Sequence, residues 1–278
     1  MRKIDTNNKY LLKAAMIRQH ILKMHAASEA SHIGSSFSCV DILVALYFKI
    51  LRIYVNDSHN PKRDRFILSK GHAASALYAT LALRGFFSQD KLMSYCQDGG
   101  CLWGHATINS VPGIEASTGS LGHGLPIGAG MALSTKNARR KFRVFVLMGD
   151  GECNEGSVWE AAMFARQHNL DNLIAIIDYN KIQAFGRTKD VIDLEPFKEK
   201  WRSFGWGVKE VDGHNINRMI DILSGVPFSK GRPSVLIAHT IKGKGISFME
   251  NQLAWHYRSP DEFHLAQGLK ELRRKLPR

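Results

Sequence analysis

Three short stretches are dominated by apolar residues without alternation: 143–148 (RVFVLM), 173–178 (LIAIID) and 234–239 (SVLIAH). Runs of this length predict strands covered on both faces. Arg65-Phe66-Ile67-Leu68-Ser69 predicts a shorter strand, with a helix after Gly71. Residues 9–50 carry a helical pattern instead. Leu11/Leu12, Ala15, Ile17 and Ile21/Leu22 recur at the spacing of an amphipathic helix, and Val40 to Tyr47 reads as a buried one. Residues 156–168 are helical in composition, with Val158, Trp159, Ala161, Ala162, Phe164 and Ala165. Strand, helix and strand in that order imply right-handed crossovers and a parallel sheet. The predicted fold class is α/β: a doubly wound parallel sheet flanked by helices on both faces, behind a helical N-terminal portion. No internal repeat or low-complexity linker divides it.

Composition changes this picture little. The 278 residues are 44% hydrophobic and 23% charged, as in an ordinary globular chain. No run approaches the roughly 18 apolar residues of a membrane span. The N-terminus lacks the apolar block and cleavage site of a secretory signal. Cys39, Cys96, Cys101 and Cys153 form no CxxC pair, which points to reduced thiols in a cytoplasm. Cys153 lies among acids that oppose thiolate formation, so it reads as an inert thiol.

The formal net charge of +13 opens more possibilities: nucleic acid, a membrane surface, a phosphorylated substrate or an acidic partner. The basic residues are scattered. The short clusters Arg139-Arg140-Lys141 and Arg273-Arg274-Lys275 read as solvated faces. No zinc-finger spacing, aromatic RNA-binding stripe or basic zipper accompanies them, which argues against nucleic acid.

Against that charge, the stretch from Val144 to Ala162 ends a strand in Gly149-Asp150-Gly151 and then collects Glu152 and Glu155. The next strand ends in Asp178-Tyr179-Asn180. Ligands of parallel sheets bind beyond the carboxyl ends of the strands. Asp150 and Asn180 offer hard oxygen ligands suited to Mg²⁺, with Ca²⁺ or Mn²⁺ as substitutes. A helix beginning near Ser157 can aim N–H groups at an anion. The plain alternative is that Asp150 and Glu155 are acids favoured at a helix start. "GSLGHGLPIGAG" echoes a dinucleotide-binding loop, but no strand precedes it as that motif requires.

The 27 residues between Gly151 and Tyr179-Asn180 make the match more specific. GDG, about that gap and an Asn pair resembles the thiamine diphosphate signature, with Tyr179 replacing the first Asn. Nearly the whole chain then resembles the N-terminal, diphosphate-binding half of a transketolase. "SHIGSS" (31–36), "LSKGHAASALYA" (68–79), "GHATINSVPGIEASTGSLGHGLPIGAGMA" (104–132), "GDGECNEGSVWEA" with "DYNKI", and "HTIKGKGISFMENQLAWH" (239–256) stand in the family's order.

That resemblance implies residue roles. Asp150, the Asn180 side chain and the Ile182 carbonyl would bind the metal. Ser35, His72, Gly151, Glu152, Asn180 and Lys242 stand where the family contacts the cofactor or its diphosphate. Gly119 and Leu121 would approach the aminopyrimidine. His32, His72, His105 and His256 match the histidines lining the donor pocket. His72 and His256 are expected to do acid/base work, and His32 and His105 to hydrogen-bond donor hydroxyls. Glu155 is expected near a subunit interface, beside the partner's glutamate. The other eight histidines, among them His25 and His214, are expected to be ordinary surface or satisfied side chains.

The implied reaction moves a two-carbon ketol unit from a ketose phosphate to an aldose, with the carbanion chemistry belonging to the cofactor. Family enzymes are about twice as long and carry a pyrimidine-binding domain after this one. Residues 1–256 are expected to form the diphosphate-binding domain, and 257–278 a link and basic helix. The expectation is a split enzyme, whose partner is a separately encoded C-terminal subunit in an α2β2 heterotetramer. Competing readings are half of a 1-deoxyxylulose-5-phosphate synthase-like or specialised-metabolism carboligase, the α subunit of a 2-oxo acid dehydrogenase, and a catalytically silent binding protein. The histidine set speaks against the 2-oxo acid dehydrogenase.

Overall fold

Each apolar run becomes a central strand because its side chains supply two cores at once. The computed structural model describes residues 6–274. In chain order the elements are α1 (Thr6–Ser28), α2 (Ile33–Ser38), α3 (Val40–Ala45), β1 (Arg65–Leu68), α4 (Ala74–Arg84), α5 (Gly124–Asn137) and β2 (Val144–Gly149). They continue as α6 (Gly156–Gln167), β3 (Leu173–Tyr179), α7 (Thr188–Val191), α8 (Phe197–Ser203), β4 (Gly207–Asp212), α9 (Ile216–Ser224), β5 (Ser234–His239) and α10 (Glu262–Arg274). The five strands form one sheet in the order β1-β2-β3-β5-β4, every pair parallel.

The period of two along each strand sends alternate residues to opposite faces. Phe145, Leu147, Ile174, Ile176 and Leu236 join a core with α1–α4, α9 and α10. Val144, Val146, Met148, Ala175, Ile177 and Val235 join a second core with α5, α6 and α8. Each fully buried aliphatic side chain contributes roughly 1.5–3 kcal/mol, so neither face could be left uncovered.

The strands expected from sequence are present within a residue of their ends. β4 was not expected. Its sequence, Gly207-Val208-Lys209-Glu210-Val211-Asp212, mixes polar and apolar residues because it is an edge strand, with Lys209 and Glu210 both exposed. The amphipathic reading of α1 holds for Ile17, Ile21 and Leu22, which are buried. It fails for Leu11 and Leu12, which are about 40% exposed, as no described residue covers that face of the first turns. The buried helix from Val40 widens after Ala45 into a single wide turn, Leu46–Ile50, closed by the Leu51 N–H donating to the Leu46 carbonyl. The helix expected after residue 256 forms α10 and packs on α1, with Leu272 in the core. Of the basic cluster at 273–275, Lys275 lies outside the described residues.

The topology also fixes where a ligand can enter. β3 leads to α8 on one face of the sheet, whereas β5 leads to α10, packed on the other. Neighbouring strands whose connections part to opposite faces leave a crevice at their carboxyl ends. The ends of β2, β3 and β5 meet there.

Candidate active site

A cavity of about 400 Å³ occupies this crevice. It is lined by His32, Ser35, His72, His105, Gly119, Leu121, Asp150, Gly151, Glu152, Glu155, Asn180, Ile182, Lys242 and His256, so the residues expected from sequence converge on one site.

The turn after β2 carries Asp150, which is 3% exposed. Its Oδ1 accepts from the Gly151 N–H (2.7 Å), and its Oδ2 from the Lys181 N–H (2.5 Å) and the Thr188 hydroxyl (3.3 Å). Burial and the neighbouring Asp178 push the Asp150 carboxyl up to about 6. After β3, the Asn180 Oδ1 accepts from the Ile182 N–H (3.1 Å), and the Ile182 carbonyl accepts from Lys242 Nζ (3.0 Å). One buried carboxylate without a cationic side chain bonded to it, one amide oxygen and one carbonyl form a hard donor set. That set fits a small divalent cation completed by diphosphate oxygens. Among the described residues no cluster of three His, Cys, Asp or Glu offers an alternative metal site.

Glu152 lies two residues beyond Asp150 and also lines the cavity. It is 1% exposed, and its carboxylate accepts from the Ser69 hydroxyl, the Gly122 N–H (3.0 Å) and the Gly149 N–H (3.2 Å). It thereby ties the glycine-rich loop to the ends of β1 and β2. Gly122 is required there: its φ is +85°, and a Cβ would lie 2.5 Å from Ser157 Oγ. Gly119 packs against the His105 ring in the same loop. Glu155 sits exposed at the lip of the cavity, just before α6.

The four histidines come from four separate segments and meet around His32. Ring centroids lie 5.2 Å from His32 to His72, 6.2 Å to His105 and 5.1 Å to His256. His32 has φ +76°, a strained value for a residue other than glycine, and its N–H donates to the His256 carbonyl (2.8 Å). Burial, reinforced by each other and by Lys70 and Lys242, lowers His32 to about 4, His256 to about 3 and His72 well below its ordinary value. His32, His72 and His256 are therefore neutral at pH 7. Lys242 Nζ donates to His256 Nδ1 (2.7 Å), and an ammonium has nothing to accept with. The His256 proton therefore sits on Nε2. Burial and Lys70 bring Lys242 itself down to about 8.

Lys70 is a site residue that sequence reasoning missed. It is 1% exposed, lines the cavity, donates to the Ser35 carbonyl (3.0 Å) and pairs with Asp178. Asp178 also accepts from the Ser38 and Thr240 hydroxyls. Burial would raise its carboxyl, but Lys70 outweighs that and holds it below the usual range. The signal available was Lys70 standing between an apolar strand and Gly71-His72. Phe185, Val191 and Ile192 on the outer rim were missed as well, although they are apolar residues in the otherwise polar stretch that follows Asn180. Tyr179, in place of an expected Asn, turns away from the cavity and donates to Glu195 Oε1 (2.6 Å).

A doubly wound sheet whose crevice joins hard oxygens, two buried lysines and neutral imidazoles defines a domain that binds an anionic cofactor beside a reaction chamber. Comparison with known proteins makes this specific. The family model "Transketolase, thiamine diphosphate binding domain" matches residues 12–274, and the chain belongs to the transketolase family. It is 41% identical over 265 residues to one subunit of the apulose-4-phosphate transketolase of Phocaeicola vulgatus, covering 95% of this chain and 94% of that one. It is 42% identical over 247 residues to a 6-deoxy-6-sulfo-D-fructose transketolase subunit of a Clostridium species, covering 88% and 89%. A solved transketolase variant from Pichia stipitis superposes with a TM-score of 0.88 at 28% identity over 96% of this chain. The chain spans 40% of that solved protein.

Proposed function

We propose that this chain is the cofactor-binding subunit of a two-subunit transketolase, moving a two-carbon ketol unit from a ketose phosphate to an aldose. The observation that carries the reading is the meeting, in one crevice, of the Asp150–Asn180–Ile182 oxygens with Lys242 and four histidines. The relatives of similar length, each named as one subunit of a sugar transketolase, support it.

In this reading the three oxygens hold Mg²⁺, and Lys70 and Lys242 face the diphosphate. Glu152 acts through the loop it ties, because a carboxylate aimed at a diphosphate would repel it. The bound cofactor supplies the electron sink for breaking and making a carbon–carbon bond beside a carbonyl. The chain's own groups handle protons and hydroxyls. Neutral His256 presents its Nε2 proton to a substrate oxygen. His72 shares that work, and His32 and His105 bind the donor's terminal hydroxyls. Glu155, at the lip, faces the partner chain, and two copies of each chain make the enzyme. Cytoplasmic location agrees with four unpaired cysteines and with no described helix being long and apolar enough to cross a membrane.

The test is reconstitution. The purified chain with thiamine diphosphate and Mg²⁺ is expected to show no ketol transfer. Adding the pyrimidine-domain subunit should give transfer from a ketose phosphate but not from pyruvate. Asp150→Ala should abolish metal-dependent cofactor binding. Full activity of the chain alone, or pyruvate as the preferred donor, refutes the proposal.

A further inference from the structure

The edge strand β4 is remote from the cavity, yet the turn that follows it, Asp212-Gly213-His214, is clasped to the end of β5. The Gly213 N–H donates to the His239 carbonyl (2.8 Å). A Cβ on Gly213 would lie 2.5 Å from the Thr240 methyl, so only glycine permits this approach. The His214 N–H donates to Asp212 Oδ1 (2.9 Å), which orients the ring inward.

That ring is held at both nitrogens. Its Nε2 lies 2.9 Å from the backbone N of Ile241 and must accept from it. The proton is therefore on Nδ1, which donates to Asp41 Oδ2 at 2.7 Å. Asp41, on α3, is 4% exposed and receives a two-pronged bond from Arg18 of α1 (3.0 and 2.8 Å). Burial alone would raise the Asp41 carboxyl, but Arg18 and His214 outweigh it and hold it down at about 2. Arg18 also packs its Cδ 3.1 Å from the point where a Cβ on Gly245 would stand. The Arg18–Asp41–His214 chain thus braces residues 240–245 from behind.

The braced segment carries two site groups. Thr240 donates to Asp178. Lys242 Nζ reaches the Ile182 carbonyl and His256 Nδ1. Ile241 lies between them, and its N–H is the atom His214 takes.

We infer that His214, supported by Asp41 and Arg18, is a positioning residue that sets the backbone of the Lys242 segment and thereby the affinity for the diphosphate cofactor. The inference rests on the cavity being the thiamine diphosphate site. The bonds made by His214 are of the kind by which residues one layer out orient those that touch a ligand.

Three substitutions separate positioning from bulk stability. Gln at position 214 keeps an acceptor at the distance of Nε2. Asn keeps a polar group only at the distance of Nδ1, and Phe keeps the volume alone. In the reconstituted enzyme, His214→Phe and His214→Asn are expected to raise the cofactor concentration for half-maximal activity about tenfold. Their kcat at saturating cofactor should stay within about twofold, and His214→Gln should restore the affinity. Hydrogen exchange of residues 240–246, followed on the chain alone, should quicken in the Phe and Asn variants and return towards wild type in Gln. Unchanged cofactor affinity and exchange in His214→Phe overturn the inference. So does an equal fall in melting temperature across all three variants with no Gln–Asn difference. If the wild-type assembly shows no cofactor dependence at all, the functional reading fails, while the exchange comparison still decides whether His214 anchors the segment.

Discussion

At the scale of single residues, burial holds His25, His32, His72 and His256 neutral, and His25 shows the consequence for stability most simply. Its Nδ1 lies 2.9 Å from the Ala30 carbonyl and its Nε2 2.9 Å from Ser75 Oγ, and burial lowers it to about 4. The unfolded chain takes up this proton below about pH 6.5. The folded chain does so only near pH 4, so between those values the unfolded state binds more protons and stability falls as the pH falls. The full window costs roughly 3 kcal/mol for this one side chain. His32 and His256 act in the same sense. His25→Gln is therefore expected to flatten the slope of stability against pH in this window by up to about 1.4 kcal/mol per unit. Urea midpoints measured from pH 4.5 to 7 check it, and an unaltered slope would mean that His25 does not hold the proton difference. At this scale the four site histidines, Asp150, Asn180 and Lys242 were legible because each stands inside a recognisable motif. Thr188 and His214 lie outside those motifs, and Lys70, though inside one, carries no local sign of its partner Asp178. Their roles depend on partners 30 or more positions away in sequence, and no local pattern records such contacts.

At the scale of elements, legibility followed burial. β2, β3 and β5 are central, and their unbroken apolar runs mark them. β4 is an edge strand whose polar residues face outward, which hides it from the same criterion. The strand that was hardest to foresee delivers His214. The C-terminal helix is a further case of packing that a basic composition conceals. A Cβ on Gly268 of α10 would lie 2.8 Å from Leu22 and 3.0 Å from Ile246, and Glu271 accepts from the Ser247 N–H and hydroxyl (both 2.7 Å). α10 thus holds both α1 and the loop that follows Lys242. Gly268→Leu is expected to overpack this contact and lower the unfolding free energy by about 1–3 kcal/mol. Denaturant unfolding measures it, and a wild-type midpoint would show that α10 does not bear on α1 in solution.

At the scale of the molecule, the cavity lies in the crevice at the carboxyl ends of the strands. Its outer rim presents Phe185 at 84% and Ile192 at 58% exposure, and apolar side chains so exposed beside a site are where the proposed partner subunit would be expected to bind. Phe185→Asp should leave the melting temperature of the isolated chain within about 2 °C of wild type, since the ring has little packing to lose. In reconstitution it should raise the partner concentration for half-maximal activity at least about tenfold, the loss expected when an aromatic anchor is removed. Titrating both proteins with the pyrimidine-domain subunit separates the outcomes, and identical titrations would remove Phe185 from the interface. The class of fold and the place of the site were readable from motif order. The shape of the rim was not, because surface exposure is set by how the segment 183–192, which includes α7, is folded.

His32 constrains how such a site diversifies. Its backbone lies at φ +76°, a region open to Gly and, less readily, to Asn or Asp, and closed in practice to branched side chains. Drift at this position is confined to residues that surrender the imidazole altogether. If the proposed donor pocket depends on this imidazole, adaptation to another sugar falls on the residues around it. The evolutionary freedom of such a pocket then lies with the neighbours of His32 and, in the proposed assembly, with the second subunit.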